Sequence, residues 1–146
     1  MKKLPQDYLY SLPLKVRDYE CDLQGVVNNA NYLHYMEHTR HEFWLQIGES
    51  FALMHERGWD AFVYKICITY KASLRSGEEF ISCLDCKHRG AKLVFEQAIY
   101  KKDGTLCTIA EVETVMAKDG IITRGEYFTS LMERVREFAQ QQSEKK

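Results

Sequence analysis

No stretch of this sequence approaches the ~20 apolar residues that a helix needs to cross a bilayer. Its first residues, MKKLPQDY, bring two lysines with no apolar run behind them, so no signal peptide is expected. An excess of one charge is also missing. The 20 basic and 21 acidic residues leave a net charge of -1, which argues against nucleic acid or an anionic membrane as the main partner. No internal repeat, linker or low-complexity segment interrupts the chain. The five cysteines, an odd number spread through segments that look buried, fit reduced core thiols in a cytoplasmic protein. Cys83 and Cys86 have CxxC spacing, yet three apart on a strand they point to opposite faces and cannot share a metal without a bulge.

What is present has the balance of one soluble globular domain over residues 1–146, with 45% hydrophobic and 28% charged residues. A chain of this size buries roughly 70% of the surface it exposes when unfolded, enough for a core without staples. Tyr8, Tyr10, Leu12, Leu14 and Val16 alternate with other types, which predicts a strand over 8–20, with Pro13 marking an edge or an irregular start. A turn over Cys21–Val27 leads into a long helix predicted from Asn29 to His55. On a wheel, Leu33, Met36, Phe43, Trp44, Ile47, Phe51 and Met54 fall within about 80° of one another. Burial at roughly 1.5–3 kcal/mol per large side chain would make this helix, read as the most amphipathic of the chain, a central core element. Arg40 sits inside the apolar arc. Either its stem packs while its head escapes to water, or its head meets a carboxylate.

After Gly58 the pattern changes to period 2. Strands are predicted over 62–70, 80–88, 91–101 and 106–117, separated by turns at Ser73–Glu79, Arg89-Gly90, Asp103-Gly104 and, after the last, Asp119-Gly120. A short C-terminal helix over 131–141, with Ser130 and Glu133 at capping-box spacing, and a frayed tail from about 141 to 146 complete the chain. The expected class is α+β, a long helix lying across one face of a curved antiparallel sheet of about five strands, the four after the helix forming a meander.

The groups able to do chemistry concentrate at the strand–turn–helix junction. Asp22 lies just past the first strand at a Gly25 turn, a few residues before the helix begins. It can be a turn residue accepting backbone N–H bonds. It can also be a catalytic carboxylate, ionised at neutral pH without help, beside helix-start N–H groups that polarise a carbonyl oxygen. Those parts suit acyl transfer: one group activates water or attacks, the other holds the tetrahedral oxygen. His34, Glu37 and His38 form an HxxEH pattern, with His41 on the same helix side, but no downstream helix offers an acidic third zinc ligand. They are read as flank residues, with no metal expected. Lys71, Arg75, Lys87, Arg89 and Lys92 scatter around the strand turns, where one or two could hold phosphates.

The run Glu20-Cys21-Asp22-Leu23-Gln24-Gly25-Val26-Val27-Asn28-Asn29-Ala30-Asn31-Tyr32, continuing through Tyr35, Glu37 and Arg40, resembles the 4-hydroxybenzoyl-CoA thioesterase branch of the hot-dog-fold acyl-CoA thioesterases. The resemblance implies a single hot-dog domain that hydrolyses an acyl-CoA thioester to the free acid and CoA. Asp22 is then the catalytic nucleophile or general base, and the N–H at Asn29 the oxyanion donor. Gly25, Val26, Val27, Asn28 and Tyr32 would complete the substrate-binding and oxyanion region. No cofactor is implied beyond the coenzyme A of the substrate. Family members pair into homodimers, often into homotetramers, with the site at the dimer interface.

Two departures stand out. Val26 occupies a position that is His in many relatives, which favours a carboxylate-only mechanism, and Asn28-Asn29 stands where other relatives have Tyr-His, which leaves the acyl preference open. Two other readings accompany the acyl-CoA thioesterase: hydrolysis of an acyl group from an acyl-carrier protein, and a non-catalytic hot dog that binds acyl-CoA.

Overall fold

The computed structural model describes residues 3–145. Its elements, in chain order, are β1 (Tyr10–Lys15), α1 (Asn29–Gln46), α2 (Phe51–Glu56), β2 (Trp59–Tyr70), β3 (Glu79–Arg89), β4 (Lys92–Lys101), β5 (Leu106–Lys118), β6 (Ile121–Ile122) and α3 (Glu126–Glu144). The class is α+β, as expected. The sheet order is β1-β3-β4-β5-β2, with the two-residue β6 pairing on β5. β1 runs antiparallel to β3 in the register Tyr10↔Leu84 to Lys15↔Glu79.

Along the β1-β3-β4-β5-β2 path, β3, β4 and β5 follow one another in sequence order; β2 lies at the far edge, beside β5. The expected meander therefore fails at the β2–β3 connection. The reason lies in Leu74, which is fully buried: its N–H is taken by the Tyr32 hydroxyl at 3.0 Å and its carbonyl by Val27 N–H at 2.8 Å. The connection is a docked segment, not a tight turn.

The helix expected from Asn29 to His55 is two helices. Gly48 adopts φ +82°, its N–H bonds Leu45 O at 3.1 Å, and Glu49 N–H bonds Trp44 O at 2.8 Å. This pair of bonds is a Schellman stop, which satisfies the last carbonyls of α1. Ser50 then caps α2, its hydroxyl accepting from Leu53 N–H. Nor is α1 the most amphipathic helix, a distinction that belongs to α3. α1 buries Thr39 and Arg40 and leaves Leu45 exposed. The first strand ends at Lys15, and Asp18–Glu20 forms a 3-10 turn instead of continuing it. α3 starts at Glu126, earlier than Leu131, and reaches Glu144, into the segment expected to fray. Ser130 lies inside it and donates to Tyr127 O, so the Ser130–Glu133 spacing does not mark its start.

Internal contacts divide the chain into two compact units. The first runs to Arg40 and takes in Cys67–Asp85 and Glu96–Ala110. Its buried residues include Val27, Tyr32, Tyr35, Met36, Leu74, Phe80, Cys83 and Ile99. Thr39 Oγ1 meets Ser82 Oγ at 2.7 Å there, and the Tyr35 ring lies 4.7 Å from Phe80. Arg40 follows neither course expected of it. Its head is buried and donates to Gln97 Oε1 at 2.8 Å, while Gln97 Nε2 donates to Met36 O at 3.1 Å. Burial lowers the Arg40 pKa to about 10.

The second unit comprises His41–Ile66, Cys86–Phe95 and the chain from Glu111 onward. Phe43, Trp44, Phe95, Met116, Phe128 and Leu131 are among its buried residues. Buried Glu49 accepts from Tyr127 Oη at 2.8 Å and pairs with Arg134, tying the segment after α1 to α3.

Candidate active site

The junction Val16–Asn31 is built from a few short-range choices. Gly25 takes φ +79° with open space where a Cβ would stand, so glycine is required there by backbone conformation and not by crowding. The turn closes as Gly25 N–H bonds Asp22 O at 3.0 Å and Asp22 N–H bonds Val26 O at 2.9 Å. Asp22 Oδ1 accepts from Gln24 N–H at 2.8 Å. The turn role of Asp22 is therefore real, and it uses one carboxylate oxygen; among the described residues, Oδ2 has no partner.

The start of α1 is accounted for one N–H at a time. Asn28 N–H is taken by Glu20 O at 3.0 Å, and Asn31 N–H by Asn28 O at 2.8 Å. Ala30 N–H is taken by Asn28 Oδ1 at 2.9 Å, which makes Asn28 the cap of the helix. Among the described residues, Asn29 N–H has no acceptor. It is the free donor at the positive end of an 18-residue helix.

Asp22 and Asn29 line one cleft of ≈ 390 Å³ together with Gln24, Val26, Val27 and Tyr32. Its other wall is the end of β2 and the residues after it, Tyr70, Lys71, Ala72 and Ser73. Tyr70 Oη donates to Asn29 O at 2.9 Å. Of the sequence-predicted residues, Gly25 and Asn28 shape the turn and the cap without lining the cleft. Tyr32 lines it with a buried ring, and burial raises its hydroxyl pKa; the oxygen is committed to Leu74 N–H.

Tyr70, Lys71, Ala72 and Ser73 line this site without a motif in the sequence that marks them for it. Alternation locates the end of β2, but no sequence signal shows that this end meets residue 22, because the pairing depends on the docked Leu74. Glu20 and Tyr35 form part of the recognised motif, but their contacts with each other were not legible. The basic residues separate: Lys71 lines the cleft and Arg75 pairs its backbone with Val26, whereas Arg89 and Lys92 bond Glu111 and Glu113 at 3.1 and 2.8 Å.

No histidine lines the cleft. His34 and His38 face a smaller recess of ≈ 210 Å³, with His34 Nδ1 3.0 Å from Asn31 Oδ1, and His41 packs 4.4 Å from the Phe51 ring. Among the described residues, no three His, Cys, Asp or Glu groups cluster in a way that could hold a metal ion. No helix among them is long and apolar enough to cross a membrane. Cys83 packs with Ala98 and Tyr100, and burial pushes its thiol up to about 12. The cleft thus offers a carboxylate with one unengaged oxygen and a free helix-start N–H, a pairing suited to attack on a polarised carbonyl.

Comparison with known proteins agrees with the fold. A model of the Thioesterase-like superfamily matches residues 16–124. The chloroplastic acyl-acyl carrier protein thioesterase ATL2 of Arabidopsis thaliana is 41% identical over 95 residues, 63% of this chain and 50% of that protein. The chain spans about half the length of the first curated relatives it matches. The crystal structure of a DHNA-CoA thioesterase from Staphylococcus aureus superposes with a TM-score of 0.78 at 24% identity, over 93% of this chain and 94% of that one. A second Staphylococcus aureus protein, solved in complex with CoA, gives 0.79 at 18% identity over 96% and 86%. At such identities the structures speak for the fold, which is the hot dog.

Proposed function

Since the chain belongs to the Thioesterase-like superfamily, we propose that it hydrolyses an acyl thioester in the Asp22–Asn29 cleft. The observation that carries this reading is the convergence, in one cleft, of a half-used carboxylate and the one uncommitted N–H among Asn28, Asn29, Ala30 and Asn31. The thioester carbonyl oxygen accepts from Asn29 N–H, and the helix dipole favours the negative charge that grows on it. Asp22 acts either by attacking the carbonyl carbon or by taking a proton from the attacking water, without an imidazole. The products are the free acid and the thiol.

The thiol is proposed to be coenzyme A, with Lys71, which lines the cleft, and Arg75, whose backbone bridges to Val26, as candidates to receive its phosphates. The likeness to an acyl-acyl carrier protein thioesterase favours a second reading, in which the same arm is carried by a protein. A non-catalytic role in binding acyl-CoA would leave the carboxylate idle. Free-thiol release measured over a panel of acyl-CoAs and the matching acyl-carrier-protein thioesters tests all three. Turnover of the CoA series supports the first, preference for the protein-bound series the second, and binding without release the third.

Assembly is part of the reading. β2 is a 12-residue edge strand that exposes Phe62, Val63, Tyr64 and Ile66. A long apolar edge is a template for pairing with a second copy. Tyr70, the last residue of β2, lines the cleft, so a homodimer joined there would bring its partner beside the site, and two such dimers would give a tetramer. The five free thiols suit the cytoplasm.

A further inference from the structure

The Asp22 turn and the Asn29 N–H are of use only if the two ends of the Cys21–Asn28 excursion are held at a fixed separation. One residue does most of this holding. The Glu20 carbonyl accepts from Asn28 N–H at 3.0 Å and from the Asn31 side-chain amide at 2.8 Å, so the chain just before Asp22 is fastened to the first turn of α1. The Glu20 side chain is buried and in turn fastened one helical turn further on. Its Oε1 accepts from Tyr35 Oη at 2.9 Å and from Arg17 N–H at 2.7 Å. The Cys21↔Val27 bridge closes the excursion between these anchors.

The cap residue Asn28 and two points on α1, at residues 31 and 35, are thus bonded to Glu20, two residues before the carboxylate. The arrangement also decides which N–H is free. With Asn28 N–H on Glu20 O and Ala30 N–H on Asn28 Oδ1, the unpaired donor is Asn29. Burial, and after it the bond to Glu20, hold the Tyr35 hydroxyl well above the ordinary phenol range, so it remains the donor. A carboxylate acceptor makes such a bond roughly twice as strong as a neutral one. Neither side chain lines the cleft.

We propose that Glu20 and Tyr35 are a positioning pair that fixes the Asp22 carboxylate relative to the Asn29 N–H. This rests on the thioesterase reading and adds to it two residues that act through others. Misplacing reacting groups by about an ångström can cost on the order of 100-fold in rate. The pair therefore predicts losses in kcat with KM nearly unchanged.

The test measures kcat, KM and melting temperature for the wild type and for Asp22→Asn, Tyr35→Phe, Glu20→Ala, Glu20→Gln and the double variant Glu20→Ala/Tyr35→Phe. Tyr35→Phe keeps the ring that packs 4.7 Å from Phe80 and deletes only the donor. It is expected to lower kcat roughly 10-fold or more. Glu20→Gln, which retains an acceptor oxygen for both donors, is expected to recover most of what Glu20→Ala loses. The double variant is expected to be no slower than Glu20→Ala alone. With an active wild type and a disabled Asp22→Asn, wild-type kcat in folded Tyr35→Phe, or additive losses in the double variant, overturns the pair alone. A wild type inactive on every thioester, or an undiminished Asp22→Asn, overturns the reading beneath it, and the pair with it.

Discussion

At the scale of single residues the site depends on which groups are already spoken for. Asp22 spends one oxygen on the turn, and Asn28 spends its side chain on the cap. Gly25 spends nothing in packing, only in conformation. Gly25→Ala should therefore fold with a loss of roughly 1–2 kcal/mol, the cost of a left-handed backbone for a residue with a Cβ. Denaturant unfolding checks this, and a loss above about 4 kcal/mol would point to a clash that the open space at this position does not contain.

Buried protons make a second residue-scale prediction. Burial lifts the Tyr8 and Tyr35 hydroxyls far above 10.0, and pushes Cys83 from 9.0 up to about 12. The folded chain keeps these protons where the unfolded chain releases them. The stability they contribute is complete below the unfolded values and is lost as pH climbs from about 9. Arg40, lowered from 12.5 to about 10, has the opposite sign and offsets part of the loss above pH 10. The melting temperature should fall between about pH 9 and 11, and Tyr35→Phe should flatten that slope. A slope unaltered in Tyr35→Phe would contradict the assignment.

At the scale of elements, α1 shows what sequence periodicity carries and what it omits. Period and turn chemistry were enough to find α1, the long strands and the Asp22–Asn29 junction. Continuity was misread at Gly48. Phe51 and Met54 lie on the apolar arc of an extended helix, but the Gly48-Glu49-Ser50 stop and restart outweighs that arc. The position of β2 was illegible for a different reason. Alternation states that a segment is a strand and says nothing of its neighbour, which here is decided by Leu74 docking against Tyr32 and Val27. The cap gives this scale its prediction. Asn28→Ala removes the acceptor of Ala30 N–H and should cost about 1 kcal/mol. It should also lower activity, because the cap holds the first turn of α1, and with it the Asn29 N–H, in place. An unchanged melting temperature and kcat would place the helix start elsewhere.

At the scale of the whole molecule, β2 is an edge strand that leaves large apolar side chains exposed. Replacing exposed Phe62 and Tyr64 with glutamate should leave the core untouched, since both side chains are more than half exposed, at 52% and 63%. Light scattering should report a dimer or tetramer for the wild type and a monomer for this variant, with activity falling alongside assembly. A wild type that is monomeric and active would remove the second subunit from the account.

If Asp22 is the reacting carboxylate, Asp22→Asn must lose kcat for thioester hydrolysis. The substituted amide can still accept Gln24 N–H through its oxygen, so the turn and the melting temperature should persist. The predicted result is a kcat lower by about 10²- to 10⁴-fold with KM little altered. A folded Asp22→Asn that turns over thioester at close to the wild-type rate would contradict it.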